Sequence, residues 1–204
     1  MISKGCNYWI LSAVIPSILL FLLFTYVSSI FVYFFVPFIC ISVFFLIFFR
    51  DPKRKIGSGF ISPADGKIRD IKIDEKTCFI SIFMNVYNVH VNRIPIKGTI
   101  LDISHYPGKN FGAWKKEAEE NEKVKILIDS DIGKVTVVQI AGLIARRIYP
   151  YIKKGDRLKK GDKIGIIRLG SRVDVYLPAN KVKKIKVEIG DKVKAGKSTL
   201  VDLK

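Results

Sequence analysis

The chain has 204 residues and a formal net charge of +17, and that charge is segregated. Residues 1–50 hold only Lys4 and Arg50 and no acid, whereas the following 154 carry 33 bases and 18 acids. The greasy start excludes a wholly soluble protein. The abundance of Ile and Val in the basic part excludes a disordered polycation, and the end of the apolar sequence at position 49 excludes a large polytopic transporter.

Residues 8–49 are uncharged. A single helix of that length would be about 60 Å long, twice the hydrocarbon core of a bilayer. The polar cluster Thr25-Tyr26-Val27-Ser28-Ser29 divides the run into two spans. This predicts apolar helices at about 8–27 and 30–49. Lys4 flanks one end and Arg50, Lys53, Arg54 and Lys55 the other, which suits a transmembrane hairpin with both ends cytoplasmic. Pro16 and Pro37 are tolerated in lipid helices. Lys4 before an apolar stretch resembles a signal peptide, but no A-x-A-like site follows and the run is too long. The expectation is therefore a membrane anchor over 1–50 and one soluble domain over 51–204, large enough for a single core. Cys6, Cys40 and Cys78 are odd in number and form no CxxC, so neither a disulfide framework nor a metal site is read from them.

After Arg50 the texture changes to short Ile- and Val-rich runs. Strands are predicted at 67–73, 78–83, 98–103, 123–129 and 134–140. Ala-Asp-Gly (64–66), Ile-Pro (94–95) and Tyr-Pro-Gly (106–108) punctuate them. The one helix-like stretch is roughly 111–122, which reads equally as a charged loop. Near the C-terminus a unit repeats. Lys154-Gly155-Asp156-Arg157-Leu158-Lys159-Lys160-Gly161 returns 35 residues later as Ile189-Gly190-Asp191-Lys192-Val193-Lys194-Ala195-Gly196. Gly-Asp favours a tight turn, and the second Gly ends the short strand that follows. Two such units resemble the flattened β-sandwich of biotinyl and lipoyl carrier domains. The fold class expected is mainly β (α+β overall): a barrel-sandwich-hybrid-like domain with an internal repeat, behind the helical hairpin. Those carriers hold their cofactor on a hairpin Lys. Here Arg168-Leu169-Gly170-Ser171-Arg172 stands between the units, with no Lys.

Only two histidines are present, His90 and His105. Acid–base chemistry near neutral pH favours such a group. Taken alone, a His among Val and Asn is more often structural than catalytic. Asp65 in Pro63-Ala64-Asp65-Gly66 reads alone as a turn residue, and Gly170-Ser171 as an ordinary pair. No P-loop, GxSxG or HExxH motif occurs.

In combination the short blocks say more. Phe48-Phe49-Arg50-Asp51-Pro52-x-Arg54, Ile61-Ser62-Pro63-Ala64-Asp65-Gly66-Lys67, Val89-His90-Val91-Asn92-Arg93-x-Pro95, Tyr106-Pro107-Gly108-Lys109 and Glu120-Asn121-Glu122 come first. Gln139-Ile140-Ala141-Gly142-Leu143-Ile144-Ala145-Arg146-Arg147-Ile148 and Leu169-Gly170-Ser171-Arg172-Val173-Asp174-Val175-Tyr176-Leu177-Pro178 follow. In this order they resemble the short form of the phosphatidylserine decarboxylase family.

That resemblance implies a pyruvoyl enzyme that makes its own cofactor. The proenzyme would cut itself between Gly170 and Ser171 into a β chain, 1–170, and an α chain, 171–204. Ser171 Oγ attacks the Gly170 carbonyl, His90 takes its proton, and Asp65 orients His90, by the logic of an Asp–His–Ser hydrolase. Elimination and loss of ammonia leave a pyruvoyl group at 171. Its ketone forms a Schiff base with the substrate amine and delocalises the electron pair left by CO₂. His90 is also the candidate proton donor to the carbanion. The long form carries a second His where Arg93 stands, so either His90 serves both maturation and turnover or another group serves one of them. Asn92 and Arg93 are candidate substrate contacts. Arg93 suits a carboxylate or phosphate, and reads equally as a surface Arg.

The partners implied are an anionic serine phospholipid, ester- or ether-linked, and the membrane that holds it. The paired β and α chains, and a second copy of the protein, are the others. The catalytic domain would lie on the cytoplasmic face, with Lys53, Arg54, Lys55, Arg146 and Arg147 drawn to anionic lipid. Nucleic acid is not an expected partner, because no recognition module is present. The competing reading is a non-enzymatic, membrane-tethered adaptor or carrier module.

Overall fold

The computed structural model describes residues 1–108, 120–142, 148–168 and 171–204. Most of the helix-like stretch at 111–122 lies outside the described residues, as do Gly170, Arg146 and Arg147. The chain divides into two units, Met1–Lys53 and Arg54–Lys204.

The first unit is a helical hairpin. Helix α1 spans Asn7–Tyr26 and α2 spans Val32–Phe48, joined by a 3-10 turn at Ser29–Phe31. The turn falls in the polar cluster, where Ser28 caps it by accepting a hydrogen bond from Ile30 N–H. The helices meet through small residues: Ser17 Oγ lies 3.0 Å from Ser42 Oγ, and Ala13, Ser17 and Ser42 are buried. Small side chains let two apolar helices approach closely where no hydrophobic force separates them from lipid. Most of their large apolar residues are exposed, and both helices are long and apolar enough to cross a membrane.

The second unit is built of strands. In chain order they are β1 (Phe60–Ile61), β2 (Gly66–Ile73), β3 (Thr77–Met84), β4 (Val91–Arg93), β5 (Gly98–Tyr106), β6 (Lys123–Ser130) and β7 (Gly133–Ala141). Then come β8 (Ile148–Pro150), β9 (Arg157–Leu158), β10 (Lys163–Ile167), β11 (Ser171–Pro178), β12 (Val182–Ile185), β13 (Lys192–Val193) and β14 (Thr199–Leu203). The five runs read from the sequence are β2, β3, β5, β6 and β7, each within three residues of its predicted ends. A mainly β fold is what the structure shows, without a closed barrel among the described residues.

One eight-stranded sheet has the order β13-β2-β3-β11-β7-β6-β5-β9. Two three-stranded sheets, β4-β10-β8 and β1-β14-β12, accompany it. Period-two alternation gives the large sheet its inner face. Ile80 and Ile82 of β3, Ile126 and Ile128 of β6, Val135 and Val137 of β7, and Val173 and Val175 of β11 are all fully buried. Branched side chains suit this pleated surface, and cutting one back, as in Ile82→Ala, would cost about 2–5 kcal/mol.

The internal repeat extends further than the Gly-Asp units. The pattern Pro-x-x-Gly-x-Ile-x-Asp-Ile occurs at 63–71 and again at 95–103. Each copy binds one Gly-Asp unit. Gly190 N–H donates to Ile68 O and Ile68 N–H to Asp191 O; Gly155 N–H donates to Ile100 O and Ile100 N–H to Asp156 O. Both strands slip register at the same place, between Ile68 and Asp70 and between Ile100 and Asp102. The large sheet is thus two similar halves joined along β11 and β7.

Candidate active site

Ser171 opens β11, a central strand of the large sheet, and pairs with Met84 of β3 on one side and Ala141 of β7 on the other. Alternation puts Ser171 on the inner face with Val173, Val175 and Leu177, and it is fully buried. Its Oγ donates to Met84 Sδ at 3.1 Å. A thioether is a weak acceptor, so the hydroxyl proton is held loosely. On the same sulfur Asn92 Nδ2 donates at 3.6 Å, and Asn92 Oδ1 accepts from Gln139 Nε2 at 2.8 Å.

His90 immediately precedes β4 and is fully buried. Its Nδ1 lies 2.9 Å from the carbonyl of Asn88. A carbonyl only accepts, so Nδ1 carries the hydrogen and Nε2 the basic lone pair. The His90 carbonyl accepts from Ile167 N–H at the end of β10, four residues before Ser171. Among the described residues no hydrogen bond joins His90 to Ser171.

Asp65 stands in the turn before β2. Both carboxylate oxygens are taken: Oδ1 by Ala195 N–H at 2.8 Å and Oδ2 by Arg54 Nη2 at 2.9 Å. The pair is nearly buried, with side chains 10% and 9% exposed. Asp65 is therefore not hydrogen-bonded to His90 among the described residues. Its tie to the same strand is indirect, because the neighbouring Pro63 carbonyl accepts from Arg93 N–H at 2.8 Å. The pairing also alters the reading of the basic cluster. Lys53 and Lys55 are exposed, but Arg54 is held by Asp65 instead of being offered to a lipid surface.

Arg93 is buried, and its Nη1 donates to Gly161 O at 2.8 Å. The stem packs so closely on Gly196 that a Cβ there would lie 2.8 Å from Arg93 Cδ. It thus bridges the closing glycines of the two repeat units. His105 lies on β5 at the surface, with its Nε2 3.0 Å from Glu122 Oε1.

On the opposite face of β11, Arg172 forms a buried ion pair with Asp174 at 2.9 Å, and Ser81 Oγ donates to Asp174 Oδ1 at 2.6 Å. Burial pushes the Asp174 carboxyl above its usual range, with Arg172 and Ser81 opposing. Arg172 and Asp174 line a concavity of about 650 Å³ with Lys123, Lys125 and Tyr176.

Four participants were not singled out from the sequence: Met84, Gln139, the Ala195 amide and Asn121, whose Nδ2 holds the Ala141 carbonyl at 2.8 Å. Gln139 alone carried a legible signal, as a polar residue at an inward position of the run Val135, Val137, Gln139, Ala141.

The surroundings of Ser171 can be compared with those of known proteins. The phosphatidylserine decarboxylase family model matches residues 41–201. The chain belongs to the phosphatidylserine decarboxylase family. A phosphatidylserine decarboxylase proenzyme of Streptomyces avermitilis is 46% identical over 164 residues, 79% of this chain and 75% of the relative. Another, of Nitratidesulfovibrio vulgaris, is 47% identical over 174 residues, 80% of this chain and 79% of the relative. One of Polynucleobacter asymbioticus is 46% identical over 177 residues, 82% and 81% of the two chains. The matched region includes Asp65, His90, Asn92, Arg93, Gln139 and Ser171, and membership of this family of decarboxylases makes the chain an enzyme.

Proposed function

We propose that this chain is a self-processing decarboxylase of a serine phospholipid, with Gly170–Ser171 as the bond it cuts. The observation that carries the reading is Ser171 itself: a fully buried hydroxyl at the head of a central strand, held among the described residues by a weak acceptor alone. A serine kept for stability would have a stronger partner.

Ser171 Oγ adds to the Gly170 carbonyl carbon, the C–N bond breaks, and the amide becomes an ester. His90 accepts the Oγ proton on Nε2 and returns it to the departing nitrogen. The Nδ1–H···O=C bond to Asn88 fixes the tautomer this needs. Asp65 acts as a positioning residue. It locks the 63–66 turn between Arg54 and Ala195, and that turn holds β4, which follows His90, through Arg93 N–H. Loss of the Ser171 Cα proton and of the Gly170 carboxylate breaks the ester. Water then replaces the nitrogen, released as ammonia, leaving a pyruvoyl group at 171.

The site fits such a group. It is small, formed in place, shielded from water, and has an unpartnered buried amide oxygen, Gln139 Oε1, nearby. When present, the group supplies an electron sink for the pair released with CO₂. The chain's own residues exclude water, and His90 returns a proton to the product. Asn92, whose Nδ2 shares Met84 Sδ with the Ser171 hydroxyl, and Arg93, the next residue of β4, are the candidate contacts for the substrate head group. We read α1 and α2 as the membrane anchor of 1–50, a reading supported by their length and composition, with the 51–204 part on the cytoplasmic side.

Intact mass tests the proposal. The expected result is two fragments split at 170/171, the smaller about 17 Da lighter than a serine-ended one, and Ser171→Ala should give one uncut, inactive chain. Normal decarboxylation by Ser171→Ala would overturn the proposal, and a wild type that stays whole and inert would favour an adaptor.

A further inference from the structure

Gln139 occupies an inward position of β7 between Val137 and Ala141, and it is fully buried. Its Nε2 donates to Asn92, but its Oε1 is buried with no hydrogen-bond partner among the described residues. No other buried side-chain oxygen of the described 54–204 unit is left so. An orphaned acceptor in an apolar core costs stability, and native cores rarely keep one without a reason. Turning both amides over exchanges the orphaned oxygen for an orphaned NH₂ and leaves Asn92 presenting an oxygen to Met84 Sδ, so reassignment does not remove the problem.

The register supplies a reason. Gln139 pairs with Val173, and Ala141 with Ser171. Gln139 and Ser171 are therefore same-face diagonal neighbours, about 7–8 Å apart and within reach of a long side chain. A second path joins them: Gln139 to Asn92, Asn92 to Met84 Sδ, and Met84 Sδ to Ser171 Oγ.

We propose that Gln139 both positions the Ser171 hydroxyl and acts as a catalytic acceptor at the reacting centre. Through Asn92 and Met84 it fixes the Ser171 hydroxyl. Its Oε1 accepts the N–H that residue 171 gains when its amide bond to Gly170 is exchanged for an ester. The same oxygen receives the substrate's amino group when that is brought to this position. The inference rests on the self-processing reading above. In that step the Ser171 nitrogen loses its bond to the Gly170 carbonyl carbon and takes the proton given up by Oγ. An amide with one N–H becomes an amine with two, at a fully buried position, and the added N–H needs an acceptor there.

The experiment compares Gln139→Met and Gln139→Glu with wild type in the full chain. It follows the rate of splitting at 170/171, kcat and KM on phosphatidylserine vesicles, and the thermal midpoint. Gln139→Met is expected to slow splitting and lower kcat by about tenfold or more, with KM changed by less than about twofold. The midpoint should hardly move, since one orphaned group replaces another. Gln139→Glu keeps an acceptor and a donor while its carboxyl is neutral. Its splitting should therefore run near the wild-type rate at low pH and fail as the buried carboxyl ionises.

Gln139→Met splitting and turning over like wild type would overturn the inference. If Gln139→Met does not fold, a Gln139→Glu pH profile parallel to wild type overturns it instead. A wild type that never splits sinks the parent reading, whereas a splitting wild type beside an equally fast variant sinks only the role of Gln139.

Discussion

Residues 63–71 and 95–103 share one pattern, bind equivalent Gly-Asp units and slip register at equivalent points, yet they differ at the position before the shared glycine. In the first half that residue is Asp65, buried between Arg54 and the Ala195 amide. In the second it is Lys97, two-thirds exposed and paired with Asp131 at 2.8 Å. The backbone of the turn is thus the part that the fold requires. The side chain on it is free to serve something else, and only the first half buries it, between Arg54 and the Ala195 amide. The loop before each turn diverges in the same way, for it brings His90, Asn92 and Arg93 to the second half while the first has Ser58, Phe60 and Ile61.

Three sets of substitutions sharpen this contrast. The largest effect belongs to Asp65→Asn, which leaves the Arg54 guanidinium buried without a counter-charge, a change worth about 3–5 kcal/mol. The thermal midpoint in detergent should drop and splitting at 170/171 should slow, while Lys97→Ala leaves both where they are. Equal losses from the two would mean that the halves use their turns alike.

The glycines come next. Gly155, Gly161, Gly190 and Gly196 all have positive φ, so Ala at any of them costs about 1–2 kcal/mol in backbone strain. At Gly161 a Cβ would also run into Ile56 Cδ1, and at Gly196 into Arg93 Cδ, whereas nothing lies within 4 Å of one at Gly155. Gly196→Ala should lose about 1–3 kcal/mol more from overpacking against the buried Arg93 stem, and Gly161→Ala less, because Ile56 Cδ1 ends a side chain that is 38% exposed and can turn aside. Chemical unfolding of the four variants checks the order, and a Gly155→Ala as damaging as Gly196→Ala would contradict it.

The smallest effect concerns pH. Asp174 has its pKa raised above 3.8 chiefly by burial, so the folded chain binds more protons at this site than the unfolded one. Its contribution to stability therefore falls as pH climbs from the ordinary value through the raised one. Asp174→Asn, which still accepts from Arg172 and Ser81, should flatten that part of the midpoint-against-pH curve. A parallel curve would assign the dependence to other carboxyls.

Much of this was legible beforehand. The polar cluster at 25–29 marks the turn between α1 and α2, and the five Ile- and Val-rich runs mark β2, β3, β5, β6 and β7, because apolar length and period-two alternation are local properties. The Gly-Asp units were visible for the same reason. Their partners at 63–71 and 95–103 were not singled out: the shared residues are few, and the pattern acquires meaning only when Ile68 and Ile100 are seen bonded to equivalent turns.

By itself the sequence determined the apolar hairpin and the strand-rich unit and singled out Asp65, His90 and Ser171 as candidates, since each depends on residue type and order along the chain. Tertiary structure alone decided how the set is wired. Arg54 and Ala195, 11 and 130 positions from Asp65, hold its carboxylate in place of His90. Met84 receives the Ser171 hydroxyl from 87 positions away. Gln139 is left with an empty acceptor beside them. A buried polar atom bonds to whatever the folded chain brings within about 3 Å, and no spacing along the sequence specifies that neighbour.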